Sequence, residues 1–437
     1  METDDVSVRE QLFHNRVRET IICVLLFTCL YIVSYLILTH FKKAAEFVTD
    51  DIEDATVNKI ALWLCTFTLS VAVCAVLLLP ISILSNEVLL TFPQSYYMQW
   101  LNGSLIHGLW NLVFLFSNLS LVFLMPFAYF FTESEGFAGS KKGVMARVYE
   151  AVVLLLLLAL LVLGIVWVAS ALLHDNIARK SLYDLWEYYL PYLYSGISLF
   201  GVLLLLLCTP FGLSRMFSVT GSLLVKPRLL EDVEDTLSCT TFEEDSLYRK
   251  LNCEKASPWQ RNLGYPLAML MLLALTVLAV LLIHSHRLIL VFSPVLSLKL
   301  NFSYLMVSSV VGFYSSPLFT SLMPRAQDTN LTQIIANCVS LLILSSALPV
   351  FSRTLGITRF DLLGDYGRYN WLGNFYIVFL YNMMFAGLTS ASLIKTVTWA
   401  VQRELIRAFG LHRLPLTVSR STIPFRLLLA SGLSKIQ

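Results

Sequence analysis

The sequence predicts an all-α, polytopic helical membrane protein, and three observations carry that prediction. Of 437 residues, 57% are hydrophobic, only 14% are charged, and the mean hydropathy is +0.71. Soluble domains run near 45–50% apolar with about 25% charged residues, so a soluble chain of this kind would expose apolar patches no monomer tolerates. The apolar residues also come in blocks of membrane length. A bilayer core about 30 Å thick needs about 20 residues of helix at about 1.5 Å per residue. The third observation is the net charge of +2, which offers no field for nucleic acid.

Nine stretches meet or approach the required length: 21–38, 60–84, 105–131, 151–173, 192–213, 265–283, 304–323, 334–350 and 371–394. The first 20 residues are polar and mixed in charge, and no small-residue cleavage site follows the first stretch, which therefore reads as a retained signal anchor. The seventh stretch is the irregular one. It contains Ser308, Ser309, Ser315, Ser316 and Pro317, and the apolar run before it is interrupted by Pro294 and Lys299. It is expected to span from Tyr304 to Met323, with a kink or re-entrant turn as the alternatives. The organisation that follows is a five-span bundle over 1–213, a cytoplasmic loop over 214–264, a four-span bundle over 265–394 and a cytoplasmic tail over 395–437.

Orientation comes from Lys and Arg. With the N-terminus outside and the C-terminus cytoplasmic, the inward segments 39–59, 132–150, 214–264, 324–333 and 395–437 hold 21 of the 31 basic residues. Basic residues near spans stay on the cytoplasmic side, so the bias favours this orientation. The outward segments carry no cysteine, which removes a disulfide framework there, while Cys239 and Cys253 fall in the 214–264 loop. Two such thiols without a histidine or CxxC spacing make a poor zinc site, and no metal or cofactor is expected.

The central parts of the nine stretches contain no Asp, Glu, Lys or Arg. Intramembrane acids and bases are the usual carriers of ion coupling, so an ion-coupled pump or a voltage sensor is disfavoured. No HExxH, no GxGxxG after a strand and no phosphate-binding GxxxxGK[ST] is present. An enzyme is not expected. Polar exceptions gather in the third stretch, at His107, Trp110, Asn111 and Asn118. His107, Asn111 and Asn118 share one helical face, which suits either a ligand-lining stripe or hydrogen bonding between packed spans.

Three loops and tails carry further candidates. The 214–264 loop opens with Arg215, Lys226 and Arg228 and continues into acidic clusters, a mixture suited to a membrane-proximal partner surface. Within it, Tyr248 and Leu251 bracket a tyrosine-x-x-bulky-apolar tetrapeptide of the endocytic sorting type. The outward loop 351–370 places Arg359, Asp361, Asp365 and Arg368 among Phe and Tyr, a composition suited to a headgroup-level loop or to docking of a protein ligand. Sequons occur at Asn102, Asn301 and Asn330, all close to span ends or on the inward side, where glycan transfer is poor. In the tail, the helix expected over 400–409 sets Val401, Leu405 and Phe409 on one face, as for a segment lying on the inner leaflet.

Long runs of this sequence resemble the limb-region protein and lipocalin-interacting membrane receptor family: Gln99 through Asn111, Glu133 through Gly139, Tyr304 through Tyr314, and Ser352 through Asn374 with its Arg-Phe-Asp-Leu-Leu-Gly-Asp core. The likeness covers nearly the whole chain. It implies nine spans with an outer N-terminus, and a receptor that binds and internalises lipocalin carriers at the plasma membrane. It also implies, as an alternative, an ER membrane scaffold that restrains Wnt signalling through protein degradation. A third class, a passage protein for a small apolar ligand, rests on the polar stripe. The implied partners are membrane lipid, a lipocalin, and a cytoplasmic adaptor or the ER degradation machinery. The chain departs from the family pattern twice: Asn252–Lys255 runs almost straight into Ala-Ser-Pro-Trp-Gln-Arg-Asn-Leu (256–263), where the family carries a longer helical stretch, and the region between His284 and Ser303 is shortened and altered.

Overall fold

The computed structural model describes residues 2–43, 52–91, 93–94, 100–134, 143–173, 182–224, 265–284, 294–317, 319–355 and 374–408. Among these residues the backbone is helical almost throughout, and the β-type pairing is a single bridge between Lys42 and Thr329. In chain order the helices are α1 (Glu2–Phe41), α2 (Ile52–Thr91), α3 (His107–Leu119), α4 (Met125–Glu133), α5 (Val144–Leu173), α6 (Leu182–Leu224), α7 (Tyr265–His284), α8 (Pro294–Ser315), α9 (Leu331–Ser346), α10 (Leu348–Thr354) and α11 (Phe375–Ala408). Each of the nine expected stretches contributes a helix to this set, with α3–α4 and α9–α10 each forming one stretch in two pieces. Among the described residues, seven stretches are long and apolar enough to cross a membrane. The reason is elementary: in hydrocarbon each backbone N–H and C=O must be satisfied within its own segment, and the Leu-rich runs leave helix as the available solution.

Two expectations are corrected. The seventh stretch does not run from Tyr304 to Met323; its helix runs from Pro294 to Ser315. Pro294 initiates the helix instead of interrupting it, because a first-turn residue has no intrahelical use for its N–H. The helix stops before Pro317, and Met323 lies beyond a short 3₁₀ turn over Thr320–Leu322. The loop expected over 351–370 likewise begins later than residue 351. Phe351, Ser352 and Thr354 are buried in α10, and the chain leaves the described helix after Leu355. The tail helix expected over 400–409 is, up to Ala408, the continuation of α11.

Residues Met1–Thr389 group as one compact unit and Ser390–Gln437 as a second. Within the first, α2 lies against α1, α3, α4, α8 and α9. Burial separates inner from outer helices: Leu331–Thr354 is mostly buried, whereas Ala151 is the one buried residue of Val144–Val162. At one end of the unit, Thr329 N–H donates to the Phe41 carbonyl (3.2 Å) and Lys43 N–H to the Thr329 carbonyl (3.1 Å). Near the start of α2, Arg147 pairs with Asp54 (2.5 Å), and the Ser134 hydroxyl donates to Glu150 Oε2 (2.5 Å). These contacts join segments 39–59, 132–150 and 324–333, the same segments that the basic-residue bias assigns to one side.

The closest helix crossing is between α6 and α8. A Cβ added to Gly212 would overlap the Ser308 carbonyl oxygen, and one added to Gly312 would overlap that of Cys208. The Thr209 and Ser309 hydroxyls hydrogen-bond at 2.8 Å across the same contact. Residue i of α6 thus meets residue i+100 of α8, as two helices running in the same direction require. Cys208-x3-Gly212 and Ser308-x3-Gly312 are small-residue repeats that let backbones approach closely, the packing device of apolar spans in lipid. Gly201 provides a second close approach, to Ala347 and the Ile343 carbonyl at the α9–α10 junction.

Candidate functional site

The third membrane stretch is the place where regular structure and hydrogen-bond satisfaction both break. Its helix contains two π-helical turns, Leu101–Ile106 and Ser120–Leu124, on either side of α3. The second has a local cause. Pro126 has no N–H to give the Val122 carbonyl, so the normal four-residue bond is lost there. The helix widens instead, and Met125 N–H donates to the carbonyl of Ser120, five residues back. Such π-turns insert one extra residue into a turn and are found frequently at functional sites.

Side chains at this break are unevenly served. Asn118 is 2% exposed, and neither its Oδ1 nor its Nδ2 has a hydrogen-bond partner. The hydroxyls of Ser117 and Ser120, both buried, are unpartnered too. Buried serines elsewhere mostly bond back to a carbonyl three or four residues earlier, as Ser308, Ser345 and Ser352 do, while Ser34 and Ser85 stand singly without a partner. A buried polar group left without a bond costs about 1–3 kcal/mol, so three such side chains within four residues form a concentrated local debit. All three are neutral. They can exchange hydrogen bonds with a hydroxyl, an amide or a carbonyl, and they carry no group that ionises.

The rest of the expected stripe lies in another environment. His107 and Asn111 are exposed, although their spacing places them on the same side of α3 as Asn118. Trp110 is instead a structural anchor: its Nε1–H donates to the Ser82 hydroxyl (2.9 Å) and its ring stacks on Phe114 at 5.4 Å. Phe114 in turn meets Tyr194 at 4.8 Å, and the Tyr194 hydroxyl donates to the Ser346 carbonyl (3.0 Å). This column ties α3 to α2, α6 and α9. A second buried amide, Asn337, is well served. Its Nδ2 donates to the Leu322 carbonyl (2.7 Å), and the Tyr314 hydroxyl donates to its Oδ1 (3.2 Å). Sequence reasoning passed over Asn337, whose only signal was an amide inside the eighth apolar stretch.

Arg359, Asp361, Asp365 and Arg368 lie outside the described residues, as do Tyr248, Leu251, Cys239 and Cys253. What is described is the base of the loop that carries the first four. It departs at Leu355 and returns at Asn374. Asn382 Nδ2 on α11 donates to the Thr354 carbonyl (3.1 Å), and the rings of Phe351 and Phe385 meet edge to face at 5.9 Å. The two helices that flank the loop therefore meet through one hydrogen bond and one ring contact. Among the described residues no group of three or more His, Cys, Asp or Glu is placed to hold a metal ion, and Cys23, Cys29, Cys65, Cys74, Cys208 and Cys338 are free thiols. Every buried polar residue among those described is Ser, Thr or Asn, and none is charged.

The family described as LMBR1-like membrane protein matches residues 19–261 and 274–397. A limb region 1 homolog-like protein of Danio rerio is 75% identical, with all of both chains covered. That comparison extends over 491 positions against this chain's 437 residues, so the relative contains residues with no counterpart here. Protein LMBR1L of Homo sapiens is 65% identical over 95% of this chain and 96% of its own length. The limb region 1 protein homolog of Gallus gallus is 56% identical over the same shares. No solved structure matches the chain at a significant level.

Proposed function

The chain belongs to the LMBR1-like membrane protein family, and from that premise we propose that it is a non-enzymatic, multi-pass receptor. In this reading it sits in the plasma membrane with its N-terminus outside. Its outward loops bind a lipocalin-type carrier, and the cytoplasmic loop 214–264 directs endocytosis or signalling. The observation that carries the reading is the contact between the two helices that flank residues 356–373. Arg359, Asp361, Asp365 and Arg368 belong to the sequence between α10 and α11, two helices that meet through the Asn382–Thr354 bond and the Phe351–Phe385 contact. A neutral interior knit by hydroxyls and amides supports the same reading, because it favours a fixed frame that presents loops over a device that moves charge.

Uptake of a fluorescently labelled lipocalin by cells expressing the full chain tests the proposal. Combining Arg359→Gln, Asp361→Asn, Asp365→Asn and Arg368→Gln should reduce uptake to that of untransfected cells at an unchanged surface amount. Uptake equal to the parent chain removes the outer loop from the mechanism. Tyr248→Ala with Leu251→Ala should leave binding intact and slow internalisation. A chain held wholly in the ER replaces the receptor with the ER scaffold that restrains Wnt signalling through degradation.

One observation favours a second reading, the passage of a small, largely apolar ligand. The unpartnered Ser117, Asn118 and Ser120 beside a π-turn offer neutral hydrogen bonds in the middle of the bundle. Flux through reconstituted vesicles that is lost on His107→Leu or Asn118→Leu supports it, and flux equal to empty vesicles removes it.

A further inference from the structure

Away from Asn118 along the third stretch, where α1 meets the lead-in to α3, two residues in contact each carry a buried donor without an acceptor. Arg18 lies three residues before Ile21, where the first apolar stretch begins, and Trp100 immediately precedes the first π-turn. The Arg18 guanidinium carbon sits 3.8 Å from the centroid of the Trp100 ring, a stacked cation–π contact. One guanidinium N–H is used, donating from Nη2 to Asn15 Oδ1 at 2.9 Å. The Arg18 Nε and the Trp100 Nε1 are both buried and have no partner. Arg18 forms no ion pair among the described residues, so its charge is balanced by no carboxylate there.

Guanidinium and indole N–H groups are donors only, so neither residue can satisfy the other. The missing group has to be an acceptor, and beside an unneutralised guanidinium an anionic acceptor gains most. Position narrows the choice. Both residues flank the apolar stretches at the depth where interfacial Trp and Arg meet lipid headgroups. A phosphodiester offers two unesterified oxygens with one negative charge, and guanidinium–phosphate pairing is favoured by geometry as well as by charge. An ester carbonyl could accept from the indole but would leave the charge unbalanced.

We propose that Arg18 and Trp100 form a binding site for the phosphodiester of a phospholipid headgroup, with Arg18 Nε–H and Trp100 Nε1–H as its donors. The bound lipid pins the start of α1 to the first π-turn of the third stretch. The site is independent of the receptor reading, since it needs neither a carrier nor the outer loop.

The full chain, purified in mild detergent and stripped of lipid, is melted with a short-chain phosphatidylglycerol, with diacylglycerol of the same chains, or with inorganic phosphate. Phosphatidylglycerol should raise the melting temperature in a saturable way, and the other two should leave it unchanged. Arg18→Gln should abolish the shift. Trp100→Phe keeps a ring under the guanidinium and removes the donor, so it should fold normally and bind about tenfold more weakly, the loss of one charge-assisted bond. An undiminished response in Trp100→Phe overturns the proposal even if Arg18→Gln does not fold. An equal response to diacylglycerol overturns it as non-specific lipid binding, and an equal response to inorganic phosphate overturns it in favour of a free anion.

Discussion

The α6–α8 crossing and the third membrane stretch are built from the same small and polar residue types and reach opposite outcomes. At the crossing, two glycines bring the backbones together and the two hydroxyls of Thr209 and Ser309 bond to each other. In the third stretch, Pro126 and a π-turn disturb the local carbonyl pattern, and Ser117, Asn118 and Ser120 are buried without partners. Polar residues in spans therefore stabilise only where a partner stands within reach. Where none does, the same chemistry marks a place held ready for something else, or one that only costs stability.

The largest expected effect is steric. Gly212→Val should leave little monodisperse protein after detergent extraction, because even a Cβ would overlap the Ser308 carbonyl, and backbone cannot yield as a flexible side chain does. Overpacking of this kind costs about 1–3 kcal/mol or more. A Gly212→Val chain that melts like the parent would dissolve the comparison. Asn118→Leu should shift stability in the opposite direction, raising the melting temperature by removing an unsatisfied amide, worth about 1–3 kcal/mol. A clear loss of stability instead would mean that Asn118 has a partner in the membrane and that the contrast is false. Trp110→Phe removes the bond to Ser82 while keeping the stack on Phe114, and should cost about 1 kcal/mol. The smallest effect belongs to Thr209 and Ser309. A double-mutant cycle with Thr209→Val and Ser309→Ala should give a coupling near 0.6 kcal/mol, the average for bonds between spans. Coupling indistinguishable from zero would leave shape alone holding the crossing.

Membrane proteins expose their architecture in sequence because the bilayer tolerates so few solutions, and each apolar block contributed a helix, although the seventh ends at Ser315. The reading failed where a single residue has two meanings. Pro294 interrupts an apolar run in sequence but opens α8 in space, and Phe351 looks like the start of a loop but is a core residue of α10. Hydropathy has no term for an extra residue in a turn, so the π-turns at Leu101–Ile106 and Ser120–Leu124 were invisible. Gly212 and Gly312 are unremarkable until two segments a hundred residues apart are laid together. At the candidate site, periodicity gave the face shared by His107, Asn111 and Asn118. It did not give the neighbours, which expose the first two and enclose the third.

The receptor reading stands on one spatial claim: the chain reaches the cell surface with its N-terminus outside and its C-terminus within. Intact cells expressing the chain with distinct epitope tags at its two ends, probed with membrane-impermeant antibody before and after permeabilisation, measure it directly. The account predicts that the N-terminal tag is stained on intact cells and the C-terminal tag only after permeabilisation. Staining of the C-terminal tag on intact cells, or of neither tag until the cells are opened, would contradict it.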